Sequence, residues 1–189
     1  RYVKEIGAVF GQKSQLWWDL PPIDTFSLNK KMYDIPDDVY KNNLEMFIEL
    51  LDIAEVINKP TRQLSLGERM KCEFVCALLH EPELVFLDEP TIGLDIITKE
   101  KIRTFIQELN RTKKTTIILT THDVEDIANL CQNVTIINKG TVVYDDTIET
   151  LSTYFNKEKV VDIKFNRAIE PNELEGFDVL ESTSMTANI

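Results

Sequence analysis

LVFLDEPTIGLD, residues 84–95, decides the fold. Four apolar residues run without interruption, then two acids and a proline stop them. Such a run reads as a strand of a parallel sheet, buried on both faces. Asp88 and Glu89 stand at its C-terminal end, where open parallel sheets bind their ligands. Neighbouring residues of a strand point to opposite sides, so the two acids are expected to do different jobs. One can hold Mg²⁺ through its water shell while the other polarises a water for attack on a phosphoryl group. Taken alone, the two acids serve equally well as caps of the strand and its loop.

Outward from this strand the pattern alternates. Residues 97–110 are spaced as an amphipathic helix, and TTIILTTH, 115–122, reads as a second buried strand. DVEDIANLC, 123–131, is a short helix whose acidic first turn suits the helix dipole. VTIINKGTVVYD, 134–145, folds back on itself at Asn138-Lys139-Gly140 as a hairpin. Upstream, KEIGAVF, 4–10, reads as a strand that stops at Gly11. Helical spacing over 23–34 and 36–51 follows, then a helix from Gly67 with Ser65 before it as cap. The expected fold is α/β, a partial parallel sheet with helices and an inserted all-helical stretch. After Lys157-Glu158-Lys159 a new strand, VVDIKF, begins a C-terminal extension.

Composition narrows the chemistry. With 43% apolar residues in 189, the chain can bury a core. Its 21 basic against 32 acidic residues give a net charge of −11, which repels a phosphate backbone, so a nucleic-acid partner is disfavoured. A small nucleotide needs only a few well-placed groups and remains compatible. The three cysteines, 72, 76 and 131, include no CxxC pair and read as small buried hydrophobes. No apolar run reaches the ~20 residues of a membrane span.

Three further strings carry candidate chemistry. In LSLGE, 64–68, the Ser65 hydroxyl, the Gly67 backbone N–H and the helix dipole make an anion cradle. The same string also reads as an ordinary capping arrangement closed by Glu68. His122 follows a strand, where an imidazole can meet a terminal phosphate or hold a water. Gln12 follows the first strand, and its amide oxygen can reach a metal ion. Each is weak alone; their order is not.

A strand with Gln, a helical insert, LSLGE, LDEPTIGLD and THD together resemble the nucleotide-binding domain of ABC transporters over about residues 4–158. VFGQKSQLWWDLP and LSLGERMKCE are most similar to the export branch that includes sodium- and drug-efflux ATPases. The resemblance implies a P-loop NTPase-like fold in four parts. Residues 1–20 would end the N-terminal core and carry the Q-loop, and 21–82 form the helical subdomain with the signature motif. Residues 83–158 would hold the RecA-like core, and 159–189 the start of the extension. It implies Mg-ATP hydrolysis that drives export through a separate transmembrane permease subunit, at the cytoplasmic face of the cell membrane as a peripheral subunit. Gln12 resembles the Q-loop glutamine, a contact of Mg²⁺. Ser65, Gly67 and Glu68 stand in the signature, which meets ATP held by the opposite copy of a homodimer or by a paired ATPase domain. Asp88 resembles the metal-holding aspartate, Glu89 the catalytic base, Leu94 and Asp95 the D-loop that crosses to the partner, and His122 the switch histidine.

Two departures stand out. The common signature has Gly and Gln where this chain has Leu66 and Glu68. No GxxxxGK[ST] phosphate loop occurs among the six glycines. The chain is therefore expected to be a piece of a longer protein, inactive alone, binding ATP very weakly and prone to dimerise or exchange strands. Trp17 and Trp18 are too large to leave wholly in water, so at least one is expected to pack, against the helical subdomain or a permease helix. Cys131, beside Leu130, is expected in the core. The rival function is a soluble ABC-type ATPase of translation or DNA repair, disfavoured by the acidic charge and the absence of cysteine clusters.

Overall fold

The computed structural model describes residues 2–11, 13–155, 162–167, 181–182 and 186–188. They fall into two compact units, Arg1–Cys131 and Gln132–Ile189.

The first unit is built on three parallel strands, β1 (Ile6–Phe10), β2 (Leu84–Asp88) and β3 (Thr116–Thr120), with β2 in the centre. Ala8 lies opposite Phe86 and Phe86 opposite Ile118, so the three strands end level at Phe10, Asp88 and Thr120. Residues 2–5 form a 3-10 turn rather than strand, and Lys4 there reaches Asp34 at 2.6 Å. Between β1 and β2 come α1 (Pro22–Met32), α2 (Asp37–Leu51) and α3 (Leu66–Leu78). Pro22 fits the first turn of α1, where no intrahelical N–H bond is lost. Between β2 and β3 runs α4 (Ile96–Lys113), and α5 (Val124–Leu130) follows β3.

Helix α3 is central. Nine consecutive residues, Met70 to Leu78, are buried, so packing surrounds it on every side. Gly7 brings β1 directly onto it, since a Cβ there would lie 2.5 Å from the Ala77 carbonyl oxygen. Cys72 and Cys76 are buried on α3, as their spacing predicts, and burial pushes the Cys72 thiol up to about 12. Phe105 of α4 meets Phe47 of α2 and Phe74 of α3 edge-on, at 5.6 and 5.7 Å between ring centres. Val9, Val85 and Leu87 supply the sheet's side of this core.

Three expectations need correction. The strands are not buried on both faces: Phe86 is 39% and Ile118 47% exposed. Core helices cover only the face that carries Val85 and Leu87. Neither tryptophan packs into the helical subdomain, with Trp17 and Trp18 both more than half exposed; Leu16 is the buried residue of that loop. Cys131 is only half-buried.

In the second unit β4 (Asn133–Asn138) and β5 (Thr141–Thr147) form the expected hairpin. Lys139 and Gly140 both have positive φ, 48° and 78°, the turn whose twist matches the strands it joins. Helix α6 spans Ile148–Phe155. β6 (Asp162–Lys164) and β7 (Glu181–Ser182) flank β8 (Thr186–Asn188) in an antiparallel sheet. β6 falls within the strand expected after Lys159; Val160 and Val161 lie outside the described residues. Among those described, no helix is long and apolar enough to cross a membrane.

Candidate functional site at the ends of the parallel strands

The level ends of β1, β2 and β3 bring the acids and the histidine together. Asp88, the last residue of β2, accepts a hydrogen bond from the Thr120 hydroxyl at 2.6 Å. Glu89 leaves the strand with φ 49°, a left-handed conformation rare for a residue with a side chain. The backbone turn, not strand alternation, therefore separates the two carboxylates. His122 Nδ1–H donates to Glu89 Oε1 at 2.8 Å. That bond, with the Glu89 charge, holds the imidazole above its ordinary titration range. Glu89 is partly buried and His122 largely exposed, so the pair sits at a surface that solutes can reach.

Gly11 completes this group. Its N–H donates to the Asp88 carbonyl at 2.8 Å, and a Cβ on it would lie 2.6 Å from the Glu89 carbonyl oxygen. Only glycine lets the chain pass so close. The residue after it, Gln12, lies outside the described residues. The loop beyond is clipped to α3 by Glu73. That buried carboxylate accepts from the Gln15 N–H at 3.0 and 3.1 Å and from the Ser14 hydroxyl. Burial outweighs these bonds and raises the Glu73 carboxyl above its ordinary range.

The other expected residues gather at the starts of α3 and α4. Ser65 caps α3 in a full capping box: its hydroxyl accepts from Glu68 N–H at 3.2 Å, and the Glu68 carboxylate accepts from Ser65 N–H at 2.8 Å. That backbone N–H holds the Glu68 carboxyl below its usual range. The geometry is the capping arrangement, and the cap leaves the Gly67 N–H outside its bonds. Gly67 lies against Thr98, and Asp95 caps α4 by accepting from the Thr98 N–H at 2.9 Å and hydroxyl at 2.7 Å. Leu94 is buried. The structure thus forms two groups, Asp88–Glu89–His122 with Gly11, and Ser65–Gly67–Glu68 with Asp95.

Among the described residues no cluster of three or more His, Cys, Asp or Glu could cage a metal ion. Asp88 offers a hard oxygen beside a hydroxyl, and its Oδ2 has no hydrogen-bond partner among them. That donor set fits Mg²⁺, which keeps its waters and is shared between one or two carboxylates and substrate phosphates.

The sequence reading missed Thr120, Gly11 and a buried ionic group. Asp126 stands in the acidic first turn that suits the helix dipole, yet it is fully buried against Arg103. Its position four residues after His122 on a short helix was the available signal.

Residues 20–125, more than half the chain, match the family described as "AAA domain, putative AbiEii toxin, Type IV TA system". The ABC transporter ATP-binding protein NatA of Bacillus subtilis is 29% identical over 162 residues, 86% of this chain and 64% of NatA. CbiO1 of Clostridium perfringens, described as part of the ABC transporter complex cbiONQ, has a TM-score of 0.69 at 26% identity, covering 80% of this chain and 60% of that one. A dimeric ATP-binding cassette, described as a post-hydrolysis state bound to ADP and Pi, shares the fold with a TM-score of 0.65 at 24% identity, covering 76% and 63%. The chain spans less than two thirds of the length of these curated relatives and neighbours. The α/β fold, the motif order and these likenesses agree: the chain belongs to the family described as an AAA domain, and its homologues include ABC transporter ATP-binding proteins.

Proposed function

We propose that the whole protein is the ATP-hydrolysing subunit of an ABC exporter. The observation that carries this reading is the Glu89–His122 hydrogen bond beside Asp88 at the strand ends. His122 occupies one oxygen of Glu89, which leaves the other to accept a proton from the attacking water. Glu89 in turn favours the protonated imidazole, the form whose Nε2–H suits an anionic terminal phosphate. Asp88 and Gln12 would hold Mg²⁺, which when bound offsets phosphate charge. Ser65 and Gly67 would meet the nucleotide of a second ATPase domain, and Asp95 would fix the loop that faces it.

Exposed apolar side chains support such a partner. Leu66, Ile96, Ile97 and Val124 stand at the starts of α3, α4 and α5 and are 39%, 80%, 72% and 75% exposed. A soluble surface rarely leaves such a group uncovered without a use. The sequence strings around Gln12 and Ser65 favour export through a separate permease, and a peripheral place on the cytoplasmic face of the membrane goes with that reading. The test is Glu89→Gln in the full-length protein. ATP binding should persist while turnover falls by about two orders of magnitude or more. Wild-type turnover would remove Glu89 as base, and co-purification with ribosomes or DNA rather than membranes would favour the soluble rival.

A further inference from the structure

A buried ionic group lies behind the Glu89–His122 pair. Asp126 of α5 has no exposure, and Arg103 of α4 is 3% exposed. Arg103 Nε donates to Asp126 Oδ1 at 2.7 Å, and its Nη1 donates to Glu100 at 2.7 Å and Glu125 at 2.9 Å. The other oxygen of Asp126 faces two hydroxyls. Thr91 Oγ donates to Oδ2 at 2.5 Å, and Thr121 Oγ lies 3.4 Å from the same atom. Lys99 reaches Asp123 at 2.5 Å and ties α4 to the same short helix.

Burying two charges gains little stability against well-packed apolar side chains, so this pair calls for another account. Its connections supply one. Thr91 stands two residues after Glu89, and Thr121 immediately before His122. One carboxylate oxygen thus receives a hydroxyl from each loop that carries a member of the pair. Glu89 also sits in a strained backbone, which persists only where the surroundings over-determine it.

We propose that Asp126, neutralised by Arg103, is the positioning residue of the Glu89–His122 pair and acts through Thr91 and Thr121. It touches neither nucleotide nor water. Its catalytic consequence rests on the proposed hydrolysis; its structural consequence does not. A rigid carboxylate between two loops fixes the distance across which a base and its partner must meet, and misplacement of a catalytic group is costly in rate.

Thr91→Val in the full-length protein keeps the shape and removes the hydroxyl, whereas Thr91→Ser keeps the hydroxyl. Turnover and KM for Mg-ATP are measured with the ¹⁵N signal of His122 Nδ1, which reports its bond to Glu89. In T91V the signal should move toward that of a free imidazole. Its kcat should fall about tenfold with KM within about twofold, and T91S should restore both. A folded T91V with an unmoved His122 signal overturns the proposal, whatever the turnover. Should T91V not fold, the isosteric D126N is read by the same signal, with the same two outcomes. If Glu89→Gln leaves turnover intact, hydrolysis through Glu89 fails as a reading while the His122 signal still decides the positioning.

Discussion

At the scale of single residues, the site is set by where glycine stands and where it does not. Gly11 passes the Glu89 carbonyl at a distance no side chain permits, and Glu89 holds a left-handed backbone that glycine would adopt more readily. A carboxylate at such a position is in direct contact with His122. The contact makes a pH prediction. Glu89 raises the titration of His122, whose ordinary value is 6.5. The stabilisation it lends the folded state is complete below the unfolded imidazole's range and is lost as pH rises through the raised one. Glu89→Gln should therefore lower the His122 midpoint toward 6.5, as followed by NMR titration. An unchanged midpoint would mean the pair does not form in solution.

At the scale of elements, α3 joins the two groups of site residues. Its first turn carries the Ser65–Glu68 capping box, and two turns later Glu73 holds the loop that follows Gln12. Glu73 has no cation within hydrogen-bonding distance among the described residues; its partners are N–H and hydroxyl groups. Glu73→Ala would remove these part-buried bonds to a carboxylate, at a cost of about 1–3 kcal/mol in unfolding free energy by denaturant titration. Both tryptophans of the chain lie in this loop, at 17 and 18, so its release should also change intrinsic fluorescence before the global transition. A variant with wild-type stability and fluorescence would show that Glu73 does not hold the loop.

At the scale of the molecule, the hydrophobic core belongs to the first unit. Every buried apolar residue described, from Val9 to Leu109, precedes the boundary at Cys131, and Leu130 packs against them. A chain of residues 1–131 should accordingly keep its helical circular dichroism and unfold cooperatively on heating. Loss of the cooperative transition in that piece would mean that residues 132–189 complete the core.

The sequence by itself determined the order of strands and helices, the cap at Ser65, the hairpin at Lys139-Gly140 and the acids at the end of β2. Each of these rests on local chemistry: apolar period, a hydroxyl before a helix, a glycine in a turn, charge at the end of an apolar run. Tertiary structure alone decided that Asp126 is buried, that Phe86 and Ile118 face outward, and that Trp17 and Trp18 stay exposed. An apolar run has the same pattern whether one face or two are covered, and an acid in a first turn looks the same beside solvent or beside Arg103. Which it is depends on what other parts of the chain bring against it, and Arg103 and Thr91, 23 and 35 positions from Asp126 in sequence, meet it only once the sheet has formed.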